Sequence, residues 1–324
     1  RCTMNEVLEK IGAIGIVPVV KLDDAKDAVP LAKALCEGGL PCAEITFRTA
    51  AAEEAIRAIR RACPDMLLGA GTVLTTDQAD RAVAAGAAFI VSPGLNPKVV
   101  RHCVDKGIPV TPGTSCPSDV EQAIELGLDV VKFFPAEAAG GVAMIKAMAA
   151  PYVGMKFLPT GGVNAKNLND YLSYDRILAC GGSWMVKSDL INAGEFGKIR
   201  DMTREAVQTM LGFELAHVGI NASDEKEAEA IADSFGRIFG LAKKAGNSSV
   251  FAGSAVEAMK KPYLGTHGHI AIRTNYLFRA VNYLEANGCA LDRGTAKFDA
   301  NGKMTAIYLK DEIGGFAVHL VQKK

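Results

Sequence analysis

Eight short apolar segments alternate with helical ones between residues 12 and about 210, and few architectures absorb such an alternation. The segments are residues 14–20, 42–47, 67–72, 89–92, 108–111, 130–134, 156–160 and 177–180. Each is short, rich in β-branched or aromatic residues, and bounded by Gly, Pro or a cap. Between them lie start signals: Thr75 with Gln78, and Ser118 with Glu121, have capping-box spacing, and Asn96-Pro97 sets an N-cap before a helix-opening proline. Gly38-Gly39, Gly86 and Gly127 are stop signals. Eight strand–helix units in about 200 residues fit a closed parallel (β/α)₈ barrel at the compact end of its size range. A doubly wound open sheet needs a glycine-rich phosphate loop after its first strand, and Pro18-Val19-Val20-Lys21-Leu22 is not one.

A barrel puts its chemistry at the C-terminal strand ends, and the polar residues gather there. The second segment carries Glu44, Thr46 and Arg48, which share one inward face if the strand runs that far. The third ends in Gly71-Thr72, the seventh in Pro159-Thr160-Gly161-Gly162, and the eighth in Gly181-Gly182-Ser183. The sixth reads Asp129-Val130-Val131-Lys132-Phe133-Phe134-Pro135, a lysine between valines and phenylalanines. Burial disfavours an ammonium, and a neutral lysine amine attacks carbonyl carbon to form an imine. The plain alternative is a lysine snorkelling from a strand end to water. Turn chemistry accounts for the glycines, but not for Glu, Arg and Lys facing one barrel interior.

Taken as chemistry, the parts fit one another. Lys132 forms an imine with a 2-keto acid, and Arg48 grips its carboxylate bidentately, which lysine cannot do. Thr72 adds a hydroxyl, and Glu44 carries a proton between the reacting hydroxyl and the enamine carbon. The protonated imine is the electron sink, so neither metal nor organic cofactor is required. Gly161-Gly162 and Gly182-Ser183 follow the two strands whose loops commonly hold phosphate in such barrels. Lys21 and Lys156 are rival amines in less apolar surroundings.

Six motifs recur in order: Glu44-Ile45-Thr46-Phe47-Arg48-Thr49, Gly69-Ala70-Gly71-Thr72-Val73-Leu74, Ser92-Pro93-Gly94, Lys132-Phe133-Phe134-Pro135-Ala136-Glu137, Pro159-Thr160-Gly161-Gly162-Val163 and Gly181-Gly182-Ser183-Trp184. By these, residues from about 11 to 211 resemble the 2-keto-3-deoxy-6-phosphogluconate and 4-hydroxy-2-oxoglutarate aldolases. The resemblance implies a cofactor-free class I lyase on a (β/α)₈ barrel, usually trimeric. It implies Lys132 as the Schiff-base lysine, Glu44 as the proton carrier, and Arg48 and Thr72 on the pyruvate carboxylate. Thr160 would line the aldehyde side, with Gly161, Gly162, Gly182 and Ser183 near the phosphate. Ala139 departs from the pattern, where family members often carry Asn.

Composition removes other classes. Lys+Arg and Asp+Glu both number 36, so no net charge points to nucleic acid or to a membrane surface. Eight cysteines lie scattered, with no CxxC, which suits free thiols in a reducing compartment. The early apolar run at residues 12–20 is too short to span a bilayer and lacks a basic leader, so a cytoplasmic protein is expected. Arg1-Cys2-Thr3 ahead of Met4 leaves a non-native origin open.

A second unit is expected over residues 212–324, after a first domain of 1–211. It repeats itself: Ala216-His217-Val218-Gly219-Ile220 and Gly268-His269-Ile270-Ala271-Ile272 each precede a helical stretch and then more strands, with the histidines 52 residues apart. These paired βαβββ modules, a smaller α+β domain, resemble the glyoxalase and bleomycin-resistance (vicinal oxygen chelate) superfamily. That resemblance implies a divalent-metal site with ligands from the first and last strand of each module: His217, His269 and His319, with the remaining position, near Phe251, apolar. Three imidazoles suit Zn²⁺, Fe²⁺, Ni²⁺ or Cu²⁺; the alternative is histidines packed on a half-buried sheet.

Two other functions stay open at this point. One is a barrel that only binds a sugar acid and signals through the C-terminal domain. The other is a metal-dependent aldolase using the histidines.

Overall fold

A computed structural model describes residues 4–323; Arg1, Cys2, Thr3 and Lys324 lie outside the described residues. The chain forms two compact units, Arg1–Met210 and Leu211–Lys324.

The first unit has eight parallel strands: β1 (Ile16–Val20), β2 (Cys42–Thr46), β3 (Leu67–Gly71), β4 (Phe89–Ser92), β5 (Val110–Thr114), β6 (Val130–Phe133), β7 (Lys156–Pro159) and β8 (Cys180–Gly182). They follow one another round the sheet in the order β7-β6-β5-β4-β3-β2-β1-β8. Bridges from Phe157 to Ile177 and from Thr160 to Gly181 close the ring. The (β/α)₈ expectation therefore holds.

The register explains the inner wall. Val19 pairs with Glu44, Glu44 with Gly69, and Gly69 with Phe89. Val91 pairs with Thr111, Gly113 with Lys132, and Lys132 with Leu158. Partners in register point to the same side of a sheet, so Glu44 and Lys132 share the interior. Beneath them, Val17, Cys42, Phe89, Val91, Val130 and Leu158 fill the barrel floor with Leu8 and Ile11 of the helix Glu6–Ile14. Each such large side chain stabilises the fold by roughly 1.5–3 kcal/mol. Gly69 leaves the space that the Phe89 ring occupies, since a Cβ there would lie 2.2 Å from it.

Three strand positions and one cap differ from the sequence reading. β1 begins at Ile16, because Ile14 closes the helix before it and Gly15 caps that helix. β5 begins at Val110 and runs through Pro112-Gly113 to Thr114, and β8 begins at Cys180 and includes Gly181-Gly182. The Ser118–Glu121 capping box does not form. Pro117 opens that helix two residues earlier, with Cys116 at the N-cap, and the Asp119 carboxylate accepts from the N–H groups of Ser115 and Cys116 at 2.8 and 3.2 Å. Thr75 does cap its helix, accepting from the Gln78 N–H at 3.1 Å.

The second unit contains β9 (Glu214–Asn221), the helix Glu225–Phe239, β10 (Lys243–Ala245), β11 (Ser249–Ala252) and β12 (Val256–Met259). It then repeats the order with β13 (His269–Thr274), the helix Leu277–Ala286, β14 (Leu291–Phe298), β15 (Met304–Leu309) and β16 (Ala317–Gln322). The sheet order is β10-β11-β12-β9-β13-β16-β15-β14. In each module the first strand pairs in parallel with the last, β9 with β12 and β13 with β16, and the two first strands meet antiparallel at the centre. The expected βαβββ duplication is present.

Candidate active site

Lys132 stands on β6 with only 5% of its surface exposed, and Glu44 on β2 with 1%. Their charged ends face one another, Lys132 Nζ to Glu44 Oε1, at 3.8 Å. The other carboxylate oxygen, Glu44 Oε2, has no hydrogen-bond partner. A buried carboxylate with a free oxygen is costly unless a ligand or water completes it. Gly71 makes room for it, because a Cβ at that position would lie 1.9 Å from Glu44 Oε1. The Phe134 ring lies 5.2 Å from Nζ and forms part of the apolar wall. The rival amines are placed otherwise: Lys21 is tied to Asp23 at 2.7 Å beyond β1, and Lys156 opens β7 at the opposite end from the catalytic mouth.

The mouth carries further polar groups. Thr160 and Thr111 are buried on the inner wall and their hydroxyls lack partners. The sequence assigns Thr111 no role; its one signal is a threonine two residues before an inward glycine. Gly181 gives the Thr160 hydroxyl its space, as a Cβ there would approach it to 2.3 Å. Arg48 is not inside the barrel. β2 ends at Thr46, so Arg48 lies in the following turn, exposed, with its Nε donating to Thr46 Oγ1 at 3.2 Å. A guanidinium at the rim keeps its hydration.

Thr72, at the end of β3, is the one non-glycine residue with a left-handed backbone among those described, φ 55°. A β-branched residue pays heavily for that conformation, on the order of 1–2 kcal/mol, and such strain gathers at functional sites. Thr72→Gly should therefore leave the melting temperature unchanged or raised, while kcat/KM falls about tenfold through loss of one hydroxyl hydrogen bond. Calorimetry and steady-state kinetics on the same preparation check both halves.

After β7, Gly161 and Gly162 both have positive φ, 100° and 83°. The N–H groups of Gly162 and Val163 donate to no acceptor among the described residues, while the Gly162 carbonyl accepts from the Asn164 and Asn167 amides at 3.0 and 3.1 Å. Gly182 lies against the Trp184 ring, where a Cβ would come within 1.9 Å, and Ser183 beside it is exposed. Free backbone N–H groups on a glycine turn are an anion cradle.

A family model, KDPG and KHG aldolase, matches residues 7–202. The chain belongs to the KDPG and KHG aldolase family. It is 51% identical over 205 residues to a 2-dehydro-3-deoxy-phosphogluconate aldolase of Treponema pallidum, covering 63% of this chain and 98% of that one. A 2-dehydro-3-deoxy-phosphogluconate aldolase of Haemophilus influenzae is 49% identical, over 63% of this chain and 97% of its own length. Among solved structures, the KDPG aldolase of Legionella pneumophila superposes with a TM-score of 0.61 at 36% identity, over 63% of this chain and 99% of that one. In that crystal, pyruvate was captured at low pH as a covalent carbinolamine intermediate. This KDPG/KHG-family chain is accordingly a Schiff-base aldolase, a carbon–carbon lyase.

The second unit holds a separate cluster. His217 Nε2 and His269 Nε2 are 3.1 Å apart, and Glu257 Oε2 lies 3.0 Å from the first and 3.1 Å from the second. His319 joins the other two histidines, with one ring nitrogen of each within 4.8 Å of the rest. His319 Nε2 is buried without a partner. Burial, with the other two histidines, holds the His319 imidazole down at about 3. Burial works to raise the Glu257 carboxyl, but hydrogen bonds from His217, His269 and Ser249 outweigh it and hold it well below the usual range. Phe251, where the sequence leaves the remaining ligand position apolar, packs its ring edge on His217 at 5.6 Å. That position is corrected: the last strand of the first module is β12, and it brings Glu257 to the cluster.

Proposed function

We propose that Lys132 is the imine-forming nucleophile and Glu44 the proton carrier of this aldolase. The observation that carries the reading is the buried pair, 3.8 Å apart, on the inner wall at the C-terminal strand ends. In the cleavage direction the Lys132 amine adds to the C2 ketone of the keto acid and water leaves, giving a protonated imine. Glu44 takes the C4 hydroxyl proton. The C3–C4 bond breaks, its electron pair flows into the imine, and the aldehyde departs. The enamine then regains a proton at C3 from the same carboxyl, and water releases pyruvate. The imine is the electron sink at every stage, so this chemistry asks for no cofactor. Arg48 at the rim and Thr72 hold the pyruvate carboxylate, and Thr160 lines the aldehyde side.

The substrate proposed is 2-keto-3-deoxy-6-phosphogluconate, cleaved to pyruvate and glyceraldehyde 3-phosphate, with 4-hydroxy-2-oxoglutarate, giving glyoxylate, as the second. The unpartnered N–H groups at Gly162 and Val163, together with Gly161, Gly182 and Ser183, support the phosphorylated one. Kinetics on both keto acids test the order: kcat/KM should favour the phosphorylated acid by tenfold or more, and equal values would remove the phosphate site from the account. A homotrimer belongs to the same proposal on the strength of the resemblance, and light scattering tests it. A reducing, cytoplasmic setting is supported by the free thiols of Cys36, Cys42, Cys63, Cys103, Cys116 and Cys289. No helix among those residues is long and apolar enough to cross a membrane.

For the second unit we propose a divalent-metal site held by His217, His269, His319 and Glu257, in a glyoxalase-like fold. Metal–ligand bonds of about 2.1 Å put neighbouring donors about 3.0 Å apart at octahedral angles and about 3.4 Å apart at tetrahedral ones; the first two histidines and Glu257 stand 3.0 to 3.1 Å from one another, so a small adjustment of the rings accommodates either. The orphaned His319 nitrogen fits a fourth ligand. Loading with Zn²⁺ should give one ion per chain by elemental analysis and a raised melting temperature. His269→Ala should lose both, whereas cleavage of the keto acid should survive full chelation by EDTA. Loss of cleavage in EDTA would restore the metal-dependent aldolase.

A further inference from the structure

Glu137 and Tyr171 have no part in the chemistry above, yet they tie its two ends together. Glu137 follows Lys132 by five residues on the segment leaving β6. Its N–H donates to the Gly161 carbonyl at 3.0 Å, and the neighbouring Ala136 N–H donates to the Thr160 carbonyl at 2.8 Å. Its Cβ and Cγ occupy the space that a Gly162 side chain would need, 2.6 and 2.5 Å from where a Cβ would stand. The carboxylate itself turns to the Tyr171 hydroxyl, which donates to Glu137 Oε1. Tyr171 is 1% exposed and sits in the helix Leu168–Leu172, just after the glycine loop. Burial, and then the bond to Glu137, raise its phenol above the ordinary value, so it stays a donor.

The geometry points to a latch: Glu137, held by Tyr171, fixes the Gly161-Gly162 turn at a set distance from Lys132 and keeps its own charge away from an incoming phosphate. Both are positioning residues for the phosphorylated end of the substrate. This rests on the reading of the turn as the phosphate cradle. An unlatched carboxylate beside that turn would repel a dianion, while the ketone end at Lys132 would be untouched. The latch thus separates phosphorylated from unphosphorylated keto acids, which a general packing role would not.

Tyr171→Phe keeps the buried ring and removes only the hydroxyl. It should raise KM for 2-keto-3-deoxy-6-phosphogluconate about tenfold, with kcat/KM for 4-hydroxy-2-oxoglutarate within about twofold of the parent. Glu137→Gln, which retains an acceptor for the hydroxyl and carries no charge, should keep the parent KM; placed on Tyr171→Phe it should restore most of the loss. Equal losses on both substrates, or none on either, would overturn the latch. Borohydride trapping of pyruvate, run on each variant, tells this apart from failure of the aldolase reading: the adduct forms in all of them if that reading stands.

Discussion

Lys132→Arg should abolish cleavage while the barrel still folds. The guanidinium keeps a positive charge opposite Glu44, so the buried carboxylate does not lose its counter-charge, which otherwise destabilises a fold by about 3–5 kcal/mol. It cannot form an imine, because it stays protonated and delocalised. Removal of a covalent nucleophile lowers turnover by on the order of 10⁴-fold or more. Circular dichroism and gel filtration should match the parent. A variant that folds and retains even a tenth of the activity would mean that another amine captures the ketone, and Lys21 and Lys156 are the amines to examine next.

Glu44→Gln should separate imine formation from proton transfer. Glutamine is nearly isosteric and fits the gap that Gly71 leaves. It can hold a hydrogen bond but cannot exchange a proton, so kcat should fall by about 10²–10⁴-fold. The imine with pyruvate should still form. The clearest readout is exchange of the pyruvate methyl protons with solvent deuterium, followed by proton NMR: the parent should exchange, and the variant should hold its protons over the same period. Rapid exchange in Glu44→Gln would assign the proton to another group.

Much of this was legible in the residues, and what was not has physical causes. The barrel strands announce themselves because parallel strands covered on both faces are unbroken apolar runs. Lys132 announces itself by interrupting one. Pro112-Gly113 and Gly181-Gly182 read as turns because turn chemistry is local, whereas their place in strands is set by what crosses the barrel. Gly113 stands beside Lys132 in register, and Gly181 yields its space to Thr160. Strand alternation puts Arg48 inside only if β2 runs two residues past Thr46, where it in fact ends; hydration keeps a guanidinium at the rim. Glu257 escaped because the two modules differ in their hairpins. β10 has three residues where β14 has eight, so equal spacing from the histidines does not find the last strand of the first module.

Borohydride reduction in the presence of pyruvate tests the central claim most directly. The expected result is irreversible inactivation, with the mass of one reduced pyruvate on the peptide carrying Lys132 and no label in Lys132→Arg. A parent enzyme that keeps full activity and carries no adduct, or a label on any other lysine, would contradict it.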